Sequence, residues 1–389
     1  MSASKTEAKL TTTLAERCPL ASSDSHILEP ADLWPTRVDA AFRDRAPKVV
    51  HVDESQEWHA DGIRFHTVRA TGYQAGVRFS RPQDLSLNGR LEDIRAGGMD
   101  PHAHVQDMDL DGVAATVLYP TVGLQLYRVA DTNLFSACVR AYNDHVADFC
   151  KPYPQRLKGI ALLNVDNIRE TVEELERAAK MGLAGALIPV RPYVRYDHPG
   201  YEPLWTAAQR LDMPLTLHIG TERWRPDIGI PGAPLDAVVF SAGGQDLRLS
   251  VAALIFGGVF ERFPGLKVIA AEFEISWALY LMNRMDDTYK NRVAGLKGRR
   301  FEGSAIPSDF FRRNMYISFQ EDAMGIEARH HIGVDHLMWG ADYPHAESTF
   351  PRSREIIDEI FKGLPTEEKA KITRDNAVRL YGFSIEGAS

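Results

Sequence analysis

The stretch SSDSHILEPADLW, residues 22–34, sets Asp24 and His26 two positions apart. In an extended strand such residues point to the same face. A carboxylate and an imidazole then converge on one point, as a divalent cation requires. The same pair at the end of an ordinary strand is equally a pair of surface polar groups, and only the rest of the chain separates the two cases. Polar residues also close three later apolar runs: His218 in PLTLHIG (214–220), Glu272 in LKVIAAE (266–272) and Asp342 in HLMWGAD (336–342). A single histidine at a strand end is more often a hydrogen-bonded structural residue. Two imidazoles and two or three carboxylates gathered together suit a cation of the Zn, Mn or Fe type.

The elements that must gather them are legible as apolar runs rich in Val, Ile, Leu and Ala. These are 20–26, 114–120, 159–164, 184–190, 214–220, 266–272, 314–320 and 336–342. Amphipathic helical patterns lie between or after them, at 167–182, 353–364 and 366–382, with Thr366 as a candidate cap for the last. Eight strands alternating with helices predict a parallel sheet closed as a (β/α)8 TIM barrel. An open doubly wound sheet is the competing arrangement, but no GxGxxG opens the first unit. In such barrels the C-terminal strand ends face the active site, which is where Asp24, His26, His218, Glu272 and Asp342 fall.

About 80 residues separate the first and second strands, too many for an ordinary βα loop. Their alternating pattern predicts a hairpin or lid over one barrel mouth, an insertion at about 35–105. Smaller insertions follow at 221–249 and about 290–312. Residues 1–19 read as a disordered leader without the apolar core of a signal peptide, and 20–389 as a single barrel domain.

Composition narrows the partners. A net charge of -8 argues against nucleic acid or an anionic membrane. The longest strongly apolar run, VAALIFGGVF (251–260), is too short to span a bilayer. The three cysteines, Cys18, Cys138 and Cys150, form no CxxC, which fits a reduced, cytoplasmic setting. A small-molecule substrate is the expected partner.

The segments DSHILEPADLW, DPHAHVQDMDLDGVAATVLYPTVGL, PLTLHIG, FPGLKVIAAEFEISW, LMWGADYPHAEST and DNAVRLYGF together resemble the amidohydrolase superfamily. The resemblance is to the amidohydrolase-related branch that holds aminocarboxymuconate semialdehyde decarboxylase, and it runs from about residue 20 to 383. It implies a distorted barrel, a homodimer, and one divalent metal ion (Zn, Mn or Fe). Asp24 and His26 match the first-strand ligand pair, His218 the fifth-strand ligand and Asp342 the eighth-strand ligand. Asp24 departs from the usual His or Glu, and Glu272 stands where decarboxylases of the branch place a histidine. Glu272 is therefore expected to hold or deprotonate water, or to ligate a second metal.

That departure tips the expectation toward a metal-dependent hydrolase, in which Asp342 takes a proton from metal-activated water attacking an amide, ester or thioester. The alternative is a nonoxidative decarboxylase of an aromatic or enoic acid, with Asp342 protonating the carbon, or a hydratase or lyase using Glu272. His345 and Glu347 are expected to orient Asp342 or touch substrate. Arg191 is a candidate for a substrate carboxylate. His104, in a DPHAH segment with His102, is expected at the substrate. Trp58 and Phe65 in the insertion, with Tyr343 and Phe350 at the mouth, suggest a partly apolar ligand, although core packing is the commoner use of aromatics.

Overall fold

In the computed structural model, residues 19–68, 74–223, 241, 243–296 and 298–385 are described. Most of the leader and part of the 221–249 insertion lie outside the described residues, as does Cys18. The first strand, β1 (Leu20–Ile27), precedes three short strands, β2 (Lys48–Val52), β3 (Ser55–Ala60) and β4 (Ile63–Thr67). Seven more follow: β5 (Val113–Pro120), β6 (Leu157–Leu162), β7 (Gly185–Ile188), β8 (Leu215–His218), β9 (Val268–Ala271), β10 (Met315–Phe319) and β11 (Leu337–Trp339).

β1 and β5 through β11 form one eight-stranded sheet, parallel throughout, in the order β1-β5-β6-β7-β8-β9-β10-β11. Covered by helices, such strands are continuous apolar runs, and each of the eight predicted runs overlaps one of them. The barrel is nearly closed by the chain just past β11. There the Asp342 amide donates to Asp24 O at 2.8 Å and the His26 amide to Tyr343 O at 2.6 Å.

β1 itself is polar yet buried, because its serines are spent on this closure. Ser23 Oγ lies 2.7 Å from Ser318 Oγ and donates to Trp339 O, while Ser22 Oγ accepts from the Ala341 amide. Gly340 permits the approach: a Cβ there would lie 2.6 Å from Cβ of Asp24.

The insertion forms a separate antiparallel sheet, β2-β3-β4, joined to the barrel by aromatic packing. Trp58 is wholly buried edge-on to Trp34, whose indole donates to Cys138 O in the helix Thr132–Cys150. Two helical expectations need adjustment. Thr366 is the first helical residue, flanked by Pro365, rather than a cap, and the predicted 366–382 helix is broken by a π-helical turn at Lys371–Asp375. Just beyond that turn, buried Asn376 donates to the carbonyls of Val334 and Leu337 and so braces the start of β11. Among the described residues no helix is long and apolar enough to cross a membrane.

Candidate metal centre and active site

Asp24 and His26 on β1, His218 at the end of β8, Glu272 just past β9 and Asp342 beyond β11 meet at one end of the barrel. His26 Nε2 lies 3.6 Å from Asp24 Oδ1 and 3.3 Å from Asp342 Oδ1. His218 Nε2 lies 3.6 Å from the same Asp24 oxygen and 3.4 Å from Glu272 Oε2. Among the described residues two sets have ligand atoms within 4.8 Å of one another: Asp24, His26 and His218; and His26, Glu272, Asp342 and His345. His26 belongs to both.

The hydrogen bonds set the imidazole tautomers. Nδ1 of His26 donates to Pro120 O at 2.8 Å, and Nδ1 of His218 donates to Ile219 O at 3.0 Å. Each ring, when neutral, then turns a lone pair on Nε2 toward the carboxylates, the arrangement of a metal-binding histidine. Asp24 Oδ1, both Nε2 atoms and Asp342 Oδ2 are buried without a hydrogen-bond partner, and Asp342 Oδ1 faces only the His26 and His345 imidazoles. Leaving so many acceptors unpaired is costly, each on the order of 1–3 kcal/mol. A cation at their common point satisfies them, and the mixed nitrogen and carboxylate donor set fits a first-row divalent ion.

Asp342 and Glu272 are held in left-handed backbone conformations, φ +55° and +63°. Residues other than glycine adopt that region at a cost of about 1–3 kcal/mol and do so preferentially at functional sites. The crowding of acids sets the charge states. Burial first, and then the Asp342 and Asp24 charges, push the Glu272 carboxyl well above its ordinary range. Burial also disfavours charge on Asp342, but His345 and His26 outweigh it and hold its pKa low. His345 is the converse: burial lowers its pKa, and the Asp342 carboxylate, with Oδ1 2.9 Å from Nδ1, raises it above the ordinary value. Burial, then the His345 charge, lowers His26. The two rings stack at 4.0 Å between centroids. The pair thus sets a histidine whose charged form is favoured against a carboxylate, beside a histidine whose neutral form is favoured.

Of the remaining sequence candidates, His345 and Glu347 stay by the cluster and the others are dispersed. His345 is buried in the cluster, and half-buried Glu347 has its carboxyl raised by burial and then by Asp342. Arg191 pairs with Asp246 at 3.3 Å. His104 is buried in the helix Pro101–Asp111, where Nδ1 donates to Gly97 O and the ring packs edge-on to Tyr343. His102 is bonded to Tyr153 Oη at the surface. Trp58 lies in the core of the insertion, and Tyr343 donates its hydroxyl to Asp107. Phe350 packs on Tyr343.

Two residues that sequence reasoning gave no role support the cluster. Thr121 Oγ1 lies 3.3 Å from His345 Nε2. Glu29, fully buried and pushed to about 7 by burial, accepts from the Val122 and Gly123 amides at 2.9 and 2.8 Å. It fixes the turn that carries Thr121. Its only sequence signal was an acid three positions after His26; nothing local announced Thr121.

Residues 90–383 match the sequence profile of the amidohydrolase family. A gamma-resorcylate decarboxylase of Rhizobium sp. (strain MTP-10005) is 25% identical over 336 residues, spanning 82% of this chain and 94% of its own. A 2-amino-3-carboxymuconate-6-semialdehyde decarboxylase of Dictyostelium discoideum is 27% identical over 308 residues, spanning 75% and 78%. Among solved structures, an amidohydrolase from Mycobacterium avium subsp. paratuberculosis K-10 superposes with a TM-score of 0.77 at 20% identity, covering 94% of this chain and 99% of its own. A dihydroxybenzoic acid decarboxylase from Polaromonas sp. JS666, with bound manganese and the inhibitor 2-nitroresorcinol, gives 0.64 at 20% identity, covering 94% and 97%.

The two sequence relatives overturn the expectation of an acyl hydrolase, because both are decarboxylases. The physical reason lies at Glu272. The hydrolytic reading took it as an ionised base, whereas burial and then the Asp342 and Asp24 charges raise its pKa well above the ordinary value and so disfavour that role. Zinc likewise finds no support in them; the metal named is manganese.

Proposed function

The chain belongs to the amidohydrolase family, in the branch of the gamma-resorcylate and aminocarboxymuconate semialdehyde decarboxylases, and from that premise we propose that it is a metal-dependent nonoxidative decarboxylase of a small aromatic or enoic carboxylic acid. In this reading Asp24, His26, His218 and Asp342 hold one divalent cation, with Glu272 at its edge. The bound cation supplies Lewis acidity, anchoring substrate oxygens and stabilising negative charge as it develops.

The chain's own residues handle the proton. Loss of carbon dioxide breaks a C–C bond and leaves an electron pair on carbon, and one proton must arrive there. The Asp342–His345 pair stores that proton: His345 is held as the imidazolium by Asp342, and its Nε2–H donates to Thr121 Oγ1. Asp342, its carboxylate oxygens otherwise unpartnered, relays the proton to carbon, and solvent restores it after release. His26 stays neutral and rigid, its Nδ1 tied to Pro120 O. The observation that carries the reading is this buried pair beside a cluster of unpartnered ligand atoms.

The test is a balance of atoms. Manganese-loaded protein is incubated in D2O with 2,6-dihydroxybenzoate and related hydroxybenzoates, and headspace carbon dioxide and product mass are measured. One carbon dioxide per product and one deuterium at the vacated carbon are expected. Carbon dioxide from none of these acids, with an ester or amide of the same series cleaved instead, would sink the proposal.

A further inference from the structure

β10 stands between β9 and β11, the strands that lead to Glu272 and Asp342. The register fixes which of its side chains face the metal cluster. His218 pairs with Ala271 and Ala270 with Ile317, which sets Ser318 beside Ala271, at the level of His218 and on the same face of the sheet. Ser318 Oγ reaches Ser23 Oγ and lies 2.9 Å from where a Cβ on Gly340 would sit, a point only 2.6 Å from Cβ of Asp24. Ser318 is therefore on the face that carries His218 and Asp24. Gln320 follows two residues later, and the ladder still holds there, with the Gly340 amide donating to Phe319 O at 2.9 Å. It shares the face of Ser318 and stands about 6–7 Å nearer the mouth than the level of His218.

Its backbone is pinned and its side chain is open. The Gln320 amide donates to Glu274 Oε2 at 3.3 Å. The side-chain Nε2 is buried without a hydrogen-bond partner. A donor buried in that way is costly, and an arriving ligand oxygen removes the cost.

A second open atom lies in the same corner. Ser348, wholly buried three residues past His345, donates its amide to His345 O, and its Oγ has no partner. Arg78, from the insertion, ties the two loops together. Its Nε donates to Ser348 O at 3.0 Å and its Nη2 pairs with Glu321, the residue after Gln320. The loops beyond β10 and β11 thus hold an uncharged amide and an uncharged hydroxyl ready to donate, whereas the unpartnered atoms of the metal cluster are acceptors.

We propose that Gln320 is a further catalytic residue, whose Nε2 donates a hydrogen bond to the substrate carboxylate that is lost, and that its lack of charge is essential to the role. The contact rests on the decarboxylase reading. The carbon that takes its proton from Asp342 also carries the departing carboxylate, and β10 is the strand beside β11, so that group falls against the end of β10. As the C–C bond breaks, its electron pair stays on that carbon and the carboxylate leaves as neutral carbon dioxide. A cation in place of Gln320 would stabilise the charged ground state more than the transition state and slow the step. An amide orients the group and gives up little when the charge moves away.

The test uses the manganese-loaded full chain and two probes titrated calorimetrically, 2-nitroresorcinol and resorcinol. The nitro group presents two oxygens as a carboxylate does and cannot be lost. The parent is expected to bind 2-nitroresorcinol more tightly than resorcinol. Gln320→Met should shrink that ratio ~3–10-fold, the scale of one hydrogen bond, with the affinity for resorcinol unchanged. Its ligand-free melting temperature should be unchanged or raised, since methionine keeps the length and removes an unpaired donor, whereas a structural glutamine would lower it. Gln320→Lys tests the charge: with 2,6-dihydroxybenzoate, KM and kcat should fall together, whereas mere disturbance of the loop would raise KM. A parent that does not distinguish the two probes, a ratio undiminished in Gln320→Met, or a kcat raised in Gln320→Lys overturns the proposal. Carbon dioxide released by Gln320→Met with the parent's kcat/KM would refute the contact and leave the function standing. The affinity pattern without carbon dioxide from any acid would support the contact and remove the reaction.

Discussion

Asp342→Asn should lower kcat by about 10²–10⁴-fold, the range for losing a positioned acid–base group, while the barrel folds and part of the metal is retained. Asparagine has nearly the shape of aspartate and keeps one oxygen for a cation, but it brings no charge. His345 then loses the carboxylate that raises its pKa, and burial, which works the other way, leaves it neutral at pH 7. The site loses its relay and its stored proton together. His345→Asn should therefore give a comparable drop in carbon dioxide release with metal content unchanged. The two losses should not add in the double variant, because the residues act as one unit. Single-turnover carbon dioxide release, alongside metal analysis by mass spectrometry, measures both. Asp342→Asn turning over within tenfold of the parent would refute the proton role.

The second large effect concerns the ligands. Purified protein should carry or take up about one divalent ion per chain, and His26→Ala or His218→Ala should reduce it to a small fraction of an equivalent, because only a few donors hold it. Manganese is the first ion to supply. Dialysis against a chelator should abolish carbon dioxide release and manganese should restore it. Metal at about 1,000 times its Kd adds ~4 kcal/mol to the folded state, which is read as a higher melting temperature in the parent and absent from either histidine variant. Uptake of two ions would make Glu272 a ligand of the second. Failure to take up any, after treatment with manganese, iron and zinc in turn, would break the assignment of the cluster.

The large part of the fold was legible because it is local. A strand buried on both faces needs a run of apolar residues, and each of the eight runs overlaps its strand, from β1 at 20–27 to β11 at 337–339. The position of a polar residue at the end of such a run is local information too. That is why Asp24, His26, His218, Glu272 and Asp342 were found before any distance was known.

Their pairing and charge were not local. His345 could be written down as a neighbour of Asp342, but its role depends on Thr121, 224 positions away in sequence, and on the facing Asp342 carboxylate, which raises its affinity for a proton against the opposing effect of burial. Glu272 was the costly case. Residue type alone says carboxylate, while burial beside Asp24 and Asp342 raises its pKa and favours the neutral form. Aromatics and histidines of the insertion were decided in the same way. Trp58 packs on Trp34 and His104 is bonded to Gly97 O, and each of them, like His66, keeps one buried ring nitrogen without a partner. Sequence alone determined which residues stand at the strand ends and which family they belong to. Only the tertiary structure decided which were buried, beside what, and in which protonation state, since desolvation and the field of neighbouring charges arise when distant segments pack together.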